Sequence, residues 1–174
     1  MKFIRWLIFC LAIPSVLWAQ DVRHLKGMKD FRVGGGLTKL GYYGNLGFGY
    51  NLSSKINIGG DLMYEAGNLN GFLFSSSYLM AGLNFNPFNI NETLYLNVGA
   101  GLIGSFTSLN ELKGLKEETK KTGFNVGAYA GPELDFFLSN RIILNAYYRQ
   151  AYLPMSYMGT MVYFIGGGLK FSIN

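Results

Sequence analysis

Thiols, imidazoles, charge and long apolar runs are scarce in this sequence, and each shortage removes a class of function. Of 174 residues, one is cysteine and one is histidine. Cys10 lies inside an N-terminal apolar stretch, so the chain beyond that stretch has no thiol for a disulfide or a thiolate metal site. Cys10 does not suit lipid attachment either, because bulky Ile8 and Phe9 precede it and the apolar run continues past it. His24 precedes the first expected strand, which leaves a serine–histidine hydrolase or a histidine metal centre without its imidazole in the fold. Charged residues make up only 14% of the chain. After the N-terminal stretch no apolar run reaches the roughly 18 residues that a membrane helix requires.

What is abundant is glycine, at 24 residues, with 12 tyrosines and 14 phenylalanines. Glycine is at about twice its usual frequency. Much glycine and aromatic surface with little charge is the composition of a small barrel in lipid. Residues 1–19 read as a signal peptide: Lys2 and Arg5 form a basic start, Trp6 to Trp18 is apolar, and Ala19 supplies a small residue for cleavage. The match is imperfect, since Leu17 stands where a small residue is usual. Pro14 and the short run argue against an uncleaved helix. Removing Lys2 and Arg5 lowers the net charge from +5 to about +3, a modest basic bias.

The segment that organises the rest is Thr93 to Thr107. Read with a period of two, Leu94, Leu96, Val98, Ala100, Leu102, Gly104 and Phe106 form a lipid-compatible set. Tyr95, Asn97, Gly99, Gly101, Ile103 and Ser105 form the other, suited to a cramped polar interior. Fifteen residues exceed the roughly 5–6 of an average soluble strand and cover the roughly 9–11 that cross a bilayer. The same alternation recurs from Asp30 to Lys39, from Tyr43 to Leu52, from Ile56 to Glu65 and, clear only in its second half because Ser75-Ser76-Ser77 blurs the period, from Phe72 to Phe85. It returns from Phe124 to Phe136, from Ile142 to Arg149 and from Thr160 to Ile173. Residues 20–29 form a short periplasmic lead-in, and 30–174 form the barrel domain. Ser53-Ser54 and Leu138 to Asn140 are expected as tight turns, Ala66 to Gly71 as a loop, and Asn86 to Glu92, with Pro87, as a turn. The charged stretch Ser108 to Gly123 is the longest connection, a mobile loop or a short surface helix. Ala151 to Gly159 is the last outer loop. Its aromatic and Met residues, Tyr152, Met155, Tyr157 and Met158, suit the headgroup level or a contact surface. Pro132, without an N–H, is expected to mark a bulge or a strand end.

Eight segments of this kind specify an all-β fold, an eight-stranded antiparallel transmembrane β-barrel of OmpX/OmpA-like architecture. In hydrocarbon every backbone group must be paired, so the sheet has to close. An eight-stranded interior is just wide enough to fill with side chains, which inward glycines and tyrosines would do. The inward charges are Arg32, Asp61, Glu65, Glu133, Asp135, Arg149 and Lys170. They are candidates for an acid–base carboxylate pair or for a salt-bridged plug, and the plug asks for far less special geometry. Gly34-Gly35-Gly36 and Gly166-Gly167-Gly168 lack the Lys-Ser/Thr and the helix of a phosphate loop. No cofactor and no direct nucleic-acid contact is expected, and a filled barrel of this size cannot pass a DNA strand. At the C-terminus, Gly168, Phe171 and Ile173 match the alternating terminal pattern by which barrel-assembly machinery recognises its substrates.

These features together resemble the TraO-type conjugal-transfer proteins of conjugative transposons. The residues that carry the resemblance are the signal segment followed by Lys26-Gly27-Met28, the run Leu138-Ser139-Asn140-Arg141 before the seventh strand, the ending Gly168 to Phe171, and the overall length. The resemblance implies a cell outer-membrane component of a mating apparatus, with outer-membrane lipid and other transfer proteins as partners and no catalytic residues. Two other readings stay open. One is a stand-alone small barrel for adhesion or envelope integrity, and the other is a lipid-modifying barrel enzyme using Glu133 or Asp135.

Overall fold

The computed structural model describes residues 26–69, 72–89, 93–111, 121–156 and 159–173. The signal segment, Cys10 and His24 lie outside them. Alternation of apolar and small or polar residues gives eight strands: β1 (Lys29–Thr38), β2 (Gly41–Asn51), β3 (Ile56–Leu69), β4 (Phe72–Asn89), β5 (Leu94–Glu111), β6 (Lys121–Phe137), β7 (Ile142–Tyr152) and β8 (Met161–Ile173). Each pairs antiparallel with the next, and β8 returns to β1 to close the barrel. No backbone edge is therefore left within the closed wall, the condition for standing in hydrocarbon.

The register fixes the strand tilt. Lys29 pairs with Tyr50, Tyr50 with Ile58, Ile58 with Leu83, Leu83 with Ala100, Ala100 with Ala130, Ala130 with Gln150 and Gln150 with Tyr163. Tyr163 lies one step past the Phe164–Thr38 pair and so faces position 39. One circuit thus climbs from 29 to 39, about ten residues, and a stagger of that size in eight strands corresponds to a tilt of about 40°. Along β2 and the residue that follows it, Tyr42 and Leu52 bound a run of outward apolar side chains. Ten steps of about 3.3 Å at that tilt make a band about 25 Å tall, the height of the lipid-facing belt in outer-membrane barrels. The outward set is largely exposed, including Leu46, Leu62, Leu79, Leu102, Val126 and Ile165, each at least half exposed, while Leu94 and Leu96 on β5 are half-buried. The inward set is buried, as with Tyr95, Asn97, Ile103 and Ser105 on β5.

The lower rim, where β1 begins and β8 ends, is nearly level. Gly27, at φ +88, leads in by donating its N–H to the Asn51 carbonyl (2.8 Å). The upper rim is uneven. β4 and β5 have 18 residues each and β6 has 17, against 10 in β1 and 11 in β2 and β7. Among the described residues the β6–β7 ladder starts at Ala128, so β6 from Lys121 to Gly127 pairs with β5 alone.

Several expected connections are shorter than the sequence suggests. Ala66 to Leu69 is strand, and the β3–β4 ladder runs to Leu69–Phe72, leaving positions 70 and 71 between them. Those two positions lie outside the described residues. The β1–β2 connection is also two residues, held by Thr38 Oγ1, which accepts from the N–H groups of Leu40 (3.2 Å) and Gly41 (3.0 Å). Ser108 to Glu111 and Lys121 to Gly123 continue β5 and β6, and positions 112–120 lie outside the described residues. Ala151 and Tyr152 complete β7, while Tyr157 and Met158 also fall outside. The shared cause is that a ladder already in register extends past the lipid, where no apolar alternation announces it.

The two informative prolines behave in opposite ways to expectation. Pro87 sits inside β4, where the register slips between Phe85 and Phe88, so a bulge and not a turn absorbs it. Pro132 marks neither a bulge nor an end. It pairs with Val98 in mid-strand, and the ladder to β7 skips Gly131 and Pro132 and resumes unshifted at Glu133–Tyr147. The missing N–H costs a local bond and leaves the register intact.

Candidate functional site

The period of two brings Arg32 from β1, Asp61 from β3, Glu133 and Asp135 from β6, Arg149 from β7 and Lys170 from β8 into one belt across the lumen. All six are buried. Arg32 approaches Asp61 at 3.2 Å and Glu133 at 3.8 Å. Arg149 reaches the same two carboxylates, at 2.7 and 3.5 Å. Lys170 Nζ donates to Glu133 and lies 2.8 Å from Asp135. Glu133 is the hub, touching all three cations. Three positive and three negative groups balance, which is what a dry interior requires of charges it cannot hydrate.

Amides and phenols complete the belt. Asn97 and Asn145 each donate to Asp135 at 2.8 Å, and Asn45 donates to Asp61 at 3.4 Å. The Tyr147 hydroxyl donates to Asn45 Oδ1 at 3.1 Å and accepts from Tyr43 at 3.0 Å. The Arg149 guanidinium lies 4.5 Å over the Tyr147 ring and 5.6 Å from that of Tyr129, a cation–π pairing out of water. Above the belt, Tyr43, Met63, Tyr78, Met80, Ile103, Tyr129, Val162 and Phe164 fill the upper lumen. Tyr43 and Tyr78 meet the Phe164 ring edge-on at 5.6 and 5.1 Å. Glycines make this fit possible, for the Tyr43 hydroxyl occupies the space where Gly36 and Gly166 would carry a Cβ.

Glu65, expected among the same charges, is not in the belt. It sits higher, where Thr38 Oγ1 donates to one carboxylate oxygen and the Tyr78 hydroxyl donates to the other at 2.5 Å. Among the described residues it has no cationic partner. It lies four residues up the same face of β3 from Asp61, which strand periodicity alone does not distinguish from a place in the belt.

As chemistry, the belt is closed. Both Asp135 oxygens are taken by Lys170, Asn97 and Asn145, and Glu133 is surrounded by cations. Both carboxylates are held by cations and amides in the manner of a salt-bridged plug, and both also line the cavity at the lower mouth. The inward amides Asn45, Asn97 and Asn145 and the carboxylate of Asp30 also belong to the interior. Their signal was the same parity that placed Arg32 and Asp135 there. At the seam of the barrel, Phe171 and Ile173 point outward and Gly168 faces the β1 backbone at Gly34.

No protein-family model matches the sequence, and no curated protein matches it. Solved structures do. A major outer membrane protein from Thermus thermophilus superposes with a TM-score of 0.72 at 11% identity, over 84% of this chain and 99% of that one. The N-terminal β-barrel domain of Pseudomonas aeruginosa OprF gives 0.64 at 13% identity, over 85% and 98%. Ail, the attachment invasion locus protein of Yersinia pestis, gives 0.55 at 14%, over 84% and 100%. At these identities the likeness is one of fold: this chain folds as small eight-stranded outer-membrane barrels do.

Proposed function

We propose that the protein is a non-enzymatic β-barrel of the cell outer membrane, exported by residues 1–19, that anchors or helps assemble a conjugative DNA-transfer apparatus. The observation that carries the membrane part is the apolar belt about 25 Å tall around a filled lumen. The conjugation part rests on the resemblance to TraO-type proteins. A filled lumen supports work at the rims, and the upper part of β6 supports docking there. Its edge from Lys121 to Val126 has no β7 ladder partner among the described residues, and Phe124 on its outer face is 70% exposed. An exposed strand edge pairs readily with an extended segment of another protein. Gly168, Phe171 and Ile173, at the closing seam, fit a role in recognition by the assembly machinery.

The first experiment is membrane fractionation with a heat-shift gel of unboiled protein. An outer-membrane band whose mobility changes on boiling is expected, and a soluble protein without a shift overturns the reading. The second is transfer frequency in a deletion strain complemented with the wild type or Phe124→Glu. Loss on deletion and reduced rescue by a normally folded Phe124→Glu are expected. Unchanged transfer on deletion removes the conjugation role and leaves a stand-alone envelope or adhesion barrel, a reading the barrel fold shared with Ail also supports.

A further inference from the structure

We propose that the lower end of the barrel wall binds an anionic phospholipid, its headgroup phosphate held between Lys29 and Arg141. The inference rests on the membrane reading of the wall and not on the conjugation reading. At this end of the barrel the exposed charge has one sign. Lys26, Lys29, Lys55 and Arg141 are all exposed, and none has a salt-bridge partner among the described residues. The described carboxylates at the same end, Asp30, Glu133 and Asp135, are inward and buried. An outer surface with cations alone attracts anions to it.

The register places two of these cations side by side on the lipid-facing wall. Lys29 pairs with Tyr50 on one side and with Ile173 on the other. Strand parity puts it in the outward set with Phe31 and Val33, and Tyr50 and Ile173 beside it are exposed apolar side chains. Leu52, the next outward residue after Tyr50, is the lower bound of the apolar band. Lys29 therefore stands where hydrocarbon gives way to headgroups, a place that suits an apolar stem and a charged tip. Arg141 comes just before β7, and its carbonyl accepts the Ser172 N–H at 2.9 Å. Ile142 after it pairs with Phe171. Lys29 and Arg141 thus straddle the end of β8, with backbones two strand spacings, about 10 Å, apart. Two long side chains at that separation can meet on one phosphate, Arg through paired N–H bonds and Lys as a point charge. An acidic protein segment would meet the same sign of charge, but Lys29 faces the wall that lipid covers. Lys26 lies beside the β2–β3 turn, where Gly27 bonds to Asn51, and widens the basic arc. Lys55 on that turn also lines the lumen mouth with Asp30, so it is not assigned to the lipid.

The test exploits the placing of both tryptophans, Trp6 and Trp18, in the expected signal segment. A Tyr50→Trp reporter beside Lys29 then supplies the indole of the exported barrel. The protein is placed in vesicles of equal phosphatidylglycerol and phosphatidylcholine, with one lipid at a time brominated on its acyl chains as a quencher. Stronger quenching by the phosphatidylglycerol is expected, with a relative association of at least about fivefold, the worth of one cation at an anionic surface. The preference should fall toward one in Lys29→Gln with Arg141→Gln, and also at about 0.5 M salt, where exposed charges are screened. Tyr42→Trp, at the upper end of the band, should show a smaller preference that the same substitutions leave unchanged. Equal quenching by the two lipids at Tyr50→Trp overturns the proposal and leaves the basic arc to an acidic protein partner. A preference that survives the double substitution, or one of equal size at Tyr42→Trp, overturns it too. Absence of a heat-shifted band in the reporter protein fails the barrel reading instead. If the double variant does not give that band, Arg141→Gln alone, at a turn, decides.

Discussion

Glu133→Gln should be among the most damaging single changes in the barrel, and a second substitution should undo part of the damage. Glu133 faces Arg32, Arg149 and Lys170, so its neutralisation leaves three buried cations against Asp61 and Asp135. Breaking a buried charge pair from one side costs about 3–5 kcal/mol, because the orphaned charge stays in the dry interior. Arg32→Met alone leaves two cations against three carboxylates and should cost a similar amount. Combined, the two changes leave Arg149 on Asp61 at 2.7 Å and Lys170 on Asp135 at 2.8 Å, two intact pairs and no surplus charge. The double variant should therefore fall below the sum of the singles by about 2–3 kcal/mol. Glu133→Gln with Lys170→Met should recover less, since Asp135 then keeps only Asn97 and Asn145. Both tryptophans, Trp6 and Trp18, lie in the expected signal segment. Urea unfolding in bicelles is accordingly followed by the unboiled gel band and by far-UV circular dichroism. Strict additivity of Glu133→Gln and Arg32→Met would refute the charge-balance argument.

Gly166→Ala should cost about 1–3 kcal/mol, because its methyl would overlap the Tyr43 hydroxyl and force the ring aside. Gly104→Ala, whose Cβ would be 4.0 Å from its nearest neighbour, should stay within about 0.5 kcal/mol of wild type in the same unfolding assay. Leu83→Arg, on the outer face between Ile58 and Ala100, should destabilise by about 2–4 kcal/mol in lipid, and a Met155→Arg change at the upper rim by less than about 0.5. Tyr78→Phe leaves the Glu65 carboxylate with Thr38 alone and should cost about 1–3 kcal/mol. Equal stability of Tyr78→Phe and wild type in urea would mean that water replaces the phenol.

The wall of the barrel was legible in the sequence because lipid and lumen impose opposite demands on successive residues. Leu94 through Phe106 alternates for that reason, and so does Ile142 through Arg149. Legibility ended where lipid ends. Nothing in Ala66-Gly67-Asn68-Leu69 or in Ser108 to Glu111 alternates by polarity, yet both are strand, because pairing with Phe72 to Ser75 extends the ladder one residue at a time at little cost. Within the lumen, parity told which residues point inward but carried no height. Asp61 and Glu65 share a face of β3, and only the stagger of about ten residues puts one beside Arg149 and the other beside Tyr78. Pro132 misled for a different reason. A proline's missing N–H disturbs one ladder only, and β5 on its other side holds β6 straight.

The filled interior also constrains any account of what the protein does. Between the two rims stand the charge belt, with Glu133 and Asp135 nearly inaccessible, and above it a layer whose Met63, Met80, Ile103 and Phe164 are fully buried. Moving anything through would mean unpairing six charges in a dry space, a cost of the same order as the whole stability of a domain. Activity therefore belongs to the outer wall and the rims. The outer wall is accounted for by lipid. What lipid does not explain is the upper run of β6, which pairs with β5 alone and stands at the upper rim.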